Sequence, residues 1–445
     1  MIWVELAIVL GMIVIGARLG GIGLGVMGGM GVLILSFFCG DRPAEPPIDV
    51  MLMIAAVCTA AGTLQAAKGM DYLVSLAEKA LRKYPPAITY VAPVVAWLFT
   101  LFAGTGHVAY AILPVIAEVS REAGVRPERP LSISVIASQQ AITASPISAA
   151  TVALVTMLAP SNITLAGVLS VCIPSTLIGV LCGAFVASKM GKELKDDPEY
   201  QRRLAAGELE TAAPAAAAAA ADGGKPEAPG TAKGAVLLFI AAAIAIVLLG
   251  SFESLRPAWT VDGKLVRMGM ANAIEVVMMT VAALMILFCK AGVEEAAKGT
   301  VFRAGMQAVI AIFGIAWMGD TFFKANQAQI QGPLEAMVHH APWAFTLALF
   351  ALSILLYSQA ATVRTLMPLG LSIGLPAAGL VGAFPAVNGY FFIPNYPTLV
   401  AAINFDRTGT TRIGKYVLNH SFMLPGLVAT AVAVTVGLVL GRVLL

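Results

Sequence analysis

The sequence is poor in charged side chains, which excludes an ordinary soluble domain. Only 12% of its 445 residues are Asp, Glu, Lys or Arg, and 59% are hydrophobic, whereas soluble domains carry about 25% charged residues. The net charge of +3 gives no indication of a nucleic-acid partner. We therefore expect an all-α polytopic membrane protein that lies in a lipid bilayer.

The sequence also lacks the patterns of metal-binding and catalytic sites. Its five cysteines form no Cys-x-x-Cys pair and are scattered through apolar segments, so we interpret them as buried hydrophobic side chains. No His-Glu-His metal set and no Ser/Lys nucleophile pair occurs within the apolar segments. The sequence thus predicts no enzyme activity, no catalytic residue, no metal and no cofactor.

A short polar island interrupts one long apolar run. Gly104, Thr105, Gly106 and His107 separate two apolar arms within residues 86–119. Each arm is shorter than the ~20 residues that a spanning helix needs, and non-helical backbone at membrane depth is tolerated only where it lines an enclosed cavity. We predict a re-entrant hairpin over residues 86–119, with its tip at a binding site.

The same order of segments occurs twice along the chain. We predict a first repeat over residues 1–188 and a second over 234–445, each with five spans and one hairpin. Gly104 then matches Ser358 at a shift of 254 residues. Because five is odd, the second repeat is inverted relative to the first, which is an architecture of secondary transporters. The predicted spans are about 3–17, 19–38, 50–67, 165–188, 234–250, 270–289, 304–322 and 417–439, together with one that begins near 131 and one that follows the second hairpin.

Three further features complete the predicted layout. The second hairpin covers about 341–369, and one span in each repeat is broken by proline, at 143–148 and 393–398. Residues 68–84 have helically spaced apolar positions and predict an interfacial amphipathic helix. Residues 189–233 are hydrophilic and rich in Ala, Gly and Pro, so we predict a linker without a core-forming pattern.

Lysine and arginine residues favour one orientation. Most of them fall on the cytoplasmic side together if both hairpins are re-entrant and both termini are periplasmic. The linker is then cytoplasmic. The groups that fit this orientation are Arg18, Lys79, Arg82, Lys83, Arg121, Arg126, Arg129, Lys189, Lys192, Lys195, Arg202, Arg203, Lys290, Lys298, Arg303, Arg407, Arg412 and Lys415.

Four polar segments converge in this layout: 104–107, 145–148, 358–362 and 395–398. They contain no Asp or Glu. The ends of half-helices present N–H groups and partial positive charge, which favours a small anion, and two pairs of tips suggest a dicarboxylate. Sodium stays open as a coupling ion, because backbone carbonyls can hold it. The predicted substrate-binding residues are Gly104, Thr105, Gly106, His107, Ser145, Pro146, Ser148, Ser358, Gln359, Thr362, Arg364, Asn395 and Thr398. Arg364 is included because an arginine at membrane depth suits bidentate pairing with a carboxylate.

Five motifs are long enough to compare with known families. They are FAGTGH at 102–107, AITASPIS at 141–148, LYSQAAT at 356–362, NYPT at 395–398 and DRTGTTRIG at 406–414. Together they resemble the anaerobic C4-dicarboxylate transporter (Dcu) family, and most closely its aspartate/fumarate type. The resemblance implies a bacterial inner-membrane antiporter that exchanges fumarate, malate or aspartate for succinate. It also implies the ion-transporter superfamily, whose hairpin tips bind carboxylates and often move as an elevator.

We therefore expect a secondary transporter that exchanges C4-dicarboxylates by alternating access. Two alternatives stay open: a sodium- or proton-coupled dicarboxylate symporter, and a ligand-binding co-sensor that partners a regulatory membrane protein. The protein partners considered are a second copy of the chain, forming a homodimer, and a sensor kinase.

Overall fold

The protein is almost entirely helical. The computed structural model describes residues 2–19, 22–46, 48–209, 230–340, 343–356, 358–394, 396–416 and 418–445. Within these residues the one sheet is a small antiparallel hairpin of β1 (Ala258–Val261) and β2 (Lys264–Arg267). The predicted all-α polytopic class is confirmed, although the sequence reasoning missed this hairpin.

The described part of the first half, up to residue 209, contains ten α-helices. They are α1 (Ile2–Leu19), α2 (Gly23–Phe37), α3 (Ile48–Ala66), α4 (Gly69–Lys83), α5 (Ile88–Ala103), α6 (Ala109–Glu122), α7 (Glu128–Gln140), α8 (Ala149–Leu158), α9 (Leu165–Ser188) and α10 (Pro198–Ala205). Short 3₁₀ turns join several of them, including Pro85–Ala87 before α5 and Ala141–Ala144 after α7.

The second half follows with α11 to α19. They are α11 (Gly230–Ser251), α12 (Met270–Cys289), α13 (Val293–Lys298), α14 (Thr300–His340), α15 (Trp343–Leu356), α16 (Gln359–Ser372), α17 (Ala377–Ala383), α18 (Pro397–Phe405) and α19 (Met423–Leu444). Between α17 and α18 the backbone forms the 3₁₀ turns Phe384–Val387 and Gly389–Phe391.

Seven helical segments of the described chain are long and apolar enough to cross a membrane. One of them is Pro85–Ala103, the first arm of the predicted first hairpin, because a 3₁₀ turn extends α5 to 19 residues. We predicted that both arms are too short to span, and for this arm the prediction is wrong. The helices α1, α2 and α15 are shorter apolar helices.

The amphipathic segment after the third span forms a separate helix. The bent pair of α3 and α4 meets at 73°, and Lys68 between them has a φ of 63°. A left-handed residue cannot continue an α-helix, so the chain turns at this point. Ala77 and Leu81 of α4 are buried and Asp71, Lys79 and Lys83 are exposed, as the interfacial pattern predicts, while Glu78 and Arg82 are partly buried and pair with each other.

Equivalent helices pack together in the two halves. α2 packs on α14 as α12 packs on α3, and α7 packs on α9 as α17 packs on α19. The two last helices of the halves, α9 and α19, also pack along each other. Such matched contacts are what a repeat predicts, and the inverted orientation of the second half stays a prediction.

Small residues bring α2 and α14 into backbone contact, as their density in the second span predicts. A Cβ on Gly25 would lie 2.0 Å from the carbonyl oxygen of Ile310, and a Cβ on Gly28 would lie 2.3 Å from the carbonyl carbon of Gly314. Only glycine allows this approach, which gives the van der Waals contact that holds helices together in lipid.

The segment after α9 differs from the predicted linker. Residues 189–209 are folded. Asp197 caps α10 by accepting hydrogen bonds from the backbone N–H groups of Glu199 and Tyr200. Arg126 pairs with Asp197 at 2.5 Å, and both side chains are buried. We missed this ion pair because the residues around Asp197 are hydrophilic, as those of a linker are. Residues 210–229 of the predicted linker lie outside the described residues.

Two predicted spans have different ends. α14 continues to His340 although we predicted its span to end at 322, because polar residues end an apolar run without ending a helix. The last helix begins at Met423 rather than 417 and reaches Leu444. Before it, Asp406 accepts hydrogen bonds from Thr408, Thr410 and the N–H of Thr411, which fold the preceding loop.

Candidate functional site

One cavity lies where the polar segments meet. This central cavity, of about 150 Å³, is lined by the first tip at Gly104, Thr105 and Gly106 and by the second tip at Ser358 and Gln359. Such a volume is small for a ligand site, where ~300–1,000 Å³ is usual. The remaining lining residues are Leu24, Met53, Ile54, Val57, Cys58, Ile142, Ile147, Ala149, Ala150, Gly305, Ala311, Leu356, Ala360 and Tyr396.

The first tip is built from two glycines with no room for a side chain. Gly104 ends α5 with a φ of +70°, and a Cβ there would lie 2.8 Å from Cγ1 of Ile147. A Cβ on Gly106 would lie 2.2 Å from Nε2 of Gln139. The tip therefore rests against the first broken span. The backbone of His107 lies in the 3₁₀ turn Gly106–Val108, and its side chain is outside the described part.

The serines of the first break hold the backbone rather than line the cavity. Ser145 and Ser148 are fully buried. The Ser145 hydroxyl donates to the carbonyl oxygen of Leu101 at 2.7 Å, and that of Ser148 donates to the carbonyl oxygen of Ile142 at 2.6 Å. Ser148 also caps α8 by accepting from the N–H of Thr151. Pro146 between them is buried. We predicted these three residues as substrate contacts, but none of them is among the described residues that line the central cavity.

The second tip opens a helix at the cavity. Ser358 caps α16 by accepting from the N–H of Ala361 at 3.2 Å, and Gln359 and Ala360 follow on the cavity wall. Thr362 is fully buried and donates to the carbonyl oxygen of Ser358 at 2.8 Å. Thr362 thus stabilises the first turn of α16, while Ser358 and Gln359 face the cavity.

The second break contributes Tyr396 to the cavity. Its ring packs edge-on against Tyr390, with centroids 4.9 Å apart. Thr398 is fully buried, and its hydroxyl has no hydrogen-bond partner among the described residues. Asn395 lies outside the described residues. Tyr396 is therefore the one described residue of the second break that lines the central cavity, and it was not among the predicted site residues.

The electrostatics of the central cavity come from helix ends. Ala149 and Ala150 begin α8, Gln359 and Ala360 begin α16, and Tyr396 precedes α18, so three helices start at the cavity. The first N–H groups of a helix have no partner within it and carry partial positive charge. Among the described lining residues none is Asp, Glu, Lys or Arg. The cavity is therefore suited to a small anion.

A buried amide network lies behind the tips, and the sequence reasoning missed it. Gln359 donates from Nε2 to Oε1 of Gln139 at 3.0 Å and to Oδ1 of Asn388 at 3.2 Å. Asn388 donates to Oε1 of Gln140, and Gln140 donates to Thr430 at 2.8 Å. One signal was present: Asn388 follows Gln140 by 248 residues, close to the shift of the repeat.

Arg364 does not line the central cavity. It faces a second cavity of about 350 Å³, together with Asp320 and Lys324 of α14. Arg364 lies about one and a half turns beyond Gln359 on α16. The predicted site residues that line a cavity therefore fall into two separate cavities. Among the described residues no group of His, Cys, Asp or Glu could hold a metal ion.

Broken helices that meet at a central cavity within a helical membrane protein are an architecture of secondary transporters. The chain belongs to the anaerobic C4-dicarboxylate membrane transporter family, whose model matches residues 1–445. The resemblance seen in the sequence motifs is thereby confirmed. The chain is a multi-pass membrane transporter rather than an enzyme.

Relatives match over nearly the whole chain. The C4-dicarboxylate transporter DcuA of Escherichia coli K12 is 44% identical over 100% of both chains. DcuA of Wolinella succinogenes is 41% identical over 99% of both. The anaerobic C4-dicarboxylate transporter DcuB of Escherichia coli O6:H1 is 41% identical over 98% of this chain and 97% of the relative.

Two solved structures share the fold at low sequence identity. The YdaH transporter of Alcanivorax borkumensis matches with a TM-score of 0.53 and 14% identity, over 99% of this chain and 96% of the other. MtrF of Neisseria gonorrhoeae matches with a TM-score of 0.50 and 12% identity, over 93% and 84%. At these identities the likeness concerns the fold alone.

Proposed function

We propose that this chain exchanges external fumarate, malate or aspartate for internal succinate across a bacterial inner membrane by alternating access. The observation that carries the proposal is the central cavity, at which three helices begin and whose described wall has no ionised side chain. Helix N-termini stabilise carboxylates. The names of the relatives add the substrate class, because they are C4-dicarboxylate transporters.

The two tips supply the carboxylate contacts in this proposal. One carboxylate binds the first tip at Thr105 and the backbone of Gly104 and Gly106. The other binds Ser358, Gln359 and the N–H groups at the start of α16. A cavity of only about 150 Å³ that both tips line favours a four-carbon diacid over longer ones. A cavity wall without carboxyl groups favours exchange over proton coupling.

The proposed architecture has two inverted repeats around this cavity. Both termini and the end of α14 face the periplasm, and the segment after α9 faces the cytoplasm, as the Lys and Arg distribution favours. The homodimer and the sensor-kinase partner stay predictions from the sequence resemblance.

Counterflow in proteoliposomes tests the function. The purified chain is reconstituted into vesicles loaded with succinate, and uptake of labelled fumarate, malate and aspartate is followed without any ion gradient. We expect rapid uptake that requires internal succinate, with empty vesicles as the control. Uptake that strictly requires a sodium or proton gradient would instead establish a symporter. Saturable binding without flux would indicate a ligand sensor.

A further inference from the structure

Three cavities follow one another along α14. Thr300 lines a cavity of about 420 Å³, Ala311 lines the central cavity, and Asp320 lines the cavity of about 350 Å³. We name the first the Tyr110 cavity and the last the Arg364 cavity, after a residue in each. Nine residues from Ala311 to Asp320 correspond to about 14 Å along a helix. The central cavity thus lies between two others on a single helix.

The Arg364 cavity and the central cavity share the same helices. From α16, Gln359 lines the central cavity and Arg364 lines the Arg364 cavity. From α8, Ala150 lines the central cavity and Met157 lines the Arg364 cavity. On all three helices the residue in the Arg364 cavity lies further toward the C-terminal end. The Arg364 cavity therefore lies next to the central cavity along the same three helices.

Charge distinguishes the Arg364 cavity from the central one. Arg364 and Lys324 carry positive charge there and Asp320 carries negative charge, and Asp320 interacts electrostatically with both cations. Of the three ionised side chains in the described wall, two are therefore cations and one is a carboxylate. A guanidinium is planar and binds carboxylates in a bidentate manner, which suits capture of a dicarboxylate.

The cavity at the other end of the path has no such charge. The described lining of the Tyr110 cavity consists of Gln65, Met70, Val108, Tyr110, Ala111, Thr300 and Val301, none of which is Asp, Glu, Lys or Arg. Arg364 follows Tyr110 by 254 residues, the same shift that relates Gly104 to Ser358. The two positions are therefore equivalent in the repeat, and only one of them carries a cation.

We propose that the Arg364 cavity is a second dicarboxylate site, a cationic vestibule that captures the anion at one membrane face before it reaches the tips. The proposal rests on the proposed dicarboxylate transport. Its consequence is an asymmetric exchanger, which binds its substrate more tightly from the face of the Arg364 cavity than from the face of the Tyr110 cavity. In the proposed orientation the tighter face is the periplasmic one.

Kinetics at each face test this vestibule. Uptake of labelled succinate is measured in right-side-out and inside-out vesicles for the wild type, Arg364→Gln and Arg364→Lys. For Arg364→Gln we expect the KM at one face to rise about tenfold or more, with the KM at the other face and the maximal rate changed less than about twofold. Arg364→Lys restores part of the affinity, because the charge returns without the bidentate geometry.

Two further variants secure the test. Lys324→Gln, at an exposed position of the same cavity, raises the same KM by a smaller factor even if Arg364→Gln fails to fold. Arg442→Gln, an exposed arginine at the end of α19, changes neither KM. An equal rise of KM at both faces, or a lost maximal rate with normal folding, would move Arg364 into the central site and overturn the vestibule. Unchanged kinetics in both Arg364→Gln and Lys324→Gln would also overturn it.

The wild type separates this inference from the proposed function. If the wild-type vesicles exchange succinate and both variants keep the wild-type KM at each face, only the vestibule fails. If equilibrium dialysis with labelled succinate finds no binding to the wild type, the dicarboxylate function itself fails, and the vestibule fails with it.

Discussion

Gln359 donates a hydrogen bond from its side-chain amide to Oε1 of Gln139 at 3.0 Å, and this bond joins the two halves of the chain. Gln359 begins the second tip, while Gln139 lies at the end of α7 just before the first break. Both side chains are buried, and Gln139 also packs against Gly106 of the first tip. The amide pair therefore fixes the distance between the tips that line the cavity.

Replacing either glutamine by leucine should loosen the tips. Gln359→Leu leaves Oε1 of Gln139 and Oδ1 of Asn388 buried without this donor, and an unsatisfied buried polar group costs about 1–3 kcal/mol. We expect a lower melting temperature in detergent and counterflow reduced at least tenfold. In the double variant Gln139→Leu/Gln359→Leu the loss of stability should be smaller than the sum of the single losses.

An exposed glutamine provides the matched control for this pair. Gln201 of α10 donates only to the carbonyl oxygen of Lys195 at the surface. Gln201→Leu should change the free energy of unfolding by no more than about 0.5 kcal/mol. Additive losses for Gln139→Leu and Gln359→Leu would show that the two amides act independently.

The structure brings Gly104 and Ser358 to the wall of one cavity, whereas the amides behind them were not among the predicted residues. Gly104 and Ser358 were recognisable because a polar island in an apolar run has few explanations in a membrane. Gln139 was not, because α7 also carries Ser132, Ser134 and Ser138, so one more polar side chain does not stand out. Ser145 was assigned to the substrate, since composition does not reveal whether a hydroxyl faces a cavity or a carbonyl group of its own backbone. Arg364 was assigned to the tips, since proximity in sequence does not show which face of α16 a residue occupies.

Ser148 at the first break should contribute more to the stability of the fold than to the affinity for succinate. Ser148→Ala removes the cap of α8, which costs about 1 kcal/mol, and it removes the hydrogen bond to Ile142. We expect a lower melting temperature and a lower maximal rate, with the KM for succinate changed less than about twofold. Melting curves and initial uptake rates on the same preparations measure these quantities.

Thr164 offers the same capping chemistry away from the cavity. Its side chain accepts from the N–H of Gly167 at the start of α9. Thr164→Ala should lower stability by a similar amount without an effect on the maximal rate. A tenfold rise of KM in Ser148→Ala with an unchanged melting temperature would assign the hydroxyl to the substrate after all.

Low pH should weaken the ion pair between Arg126 and Asp197 and so destabilise the segment after α9. Burial raises the pKa of Asp197, but the N–H of Tyr200 and the Arg126 guanidinium lower it, and the net shift is downward. A carboxyl with a lowered folded pKa stabilises the fold above its unfolded pKa of about 3.9, and this contribution disappears as the pH falls through the folded pKa. We expect limited proteolysis within residues 189–209 to accelerate below about pH 4.

Asp197→Asn isolates this carboxyl. The variant keeps the shape of the side chain and removes its charge, so cleavage should already be faster at pH 7 and should depend less on pH than in the wild type. Asp196, the adjacent exposed carboxyl, serves as the control, and Asp196→Asn should keep the wild-type profile. Identical pH profiles for Asp197→Asn and the wild type would assign the acid sensitivity to other groups.

The first tip should not tolerate alanine at Gly104, for two separable reasons. Its φ of +70° is unfavourable for any side chain, at about 1–2 kcal/mol, and a Cβ would also approach Cγ1 of Ile147 to 2.8 Å. Gly124 has a φ of +67° with no atom within 4 Å of the position of a Cβ. Gly124→Ala therefore carries the backbone cost alone, while Gly104→Ala adds overpacking of about 1–3 kcal/mol. We expect counterflow to fall at least tenfold in Gly104→Ala and less than twofold in Gly124→Ala, with both variants present in the membrane. Equal activity in the two variants would mean that the close contact between the first tip and the first break does not matter for transport.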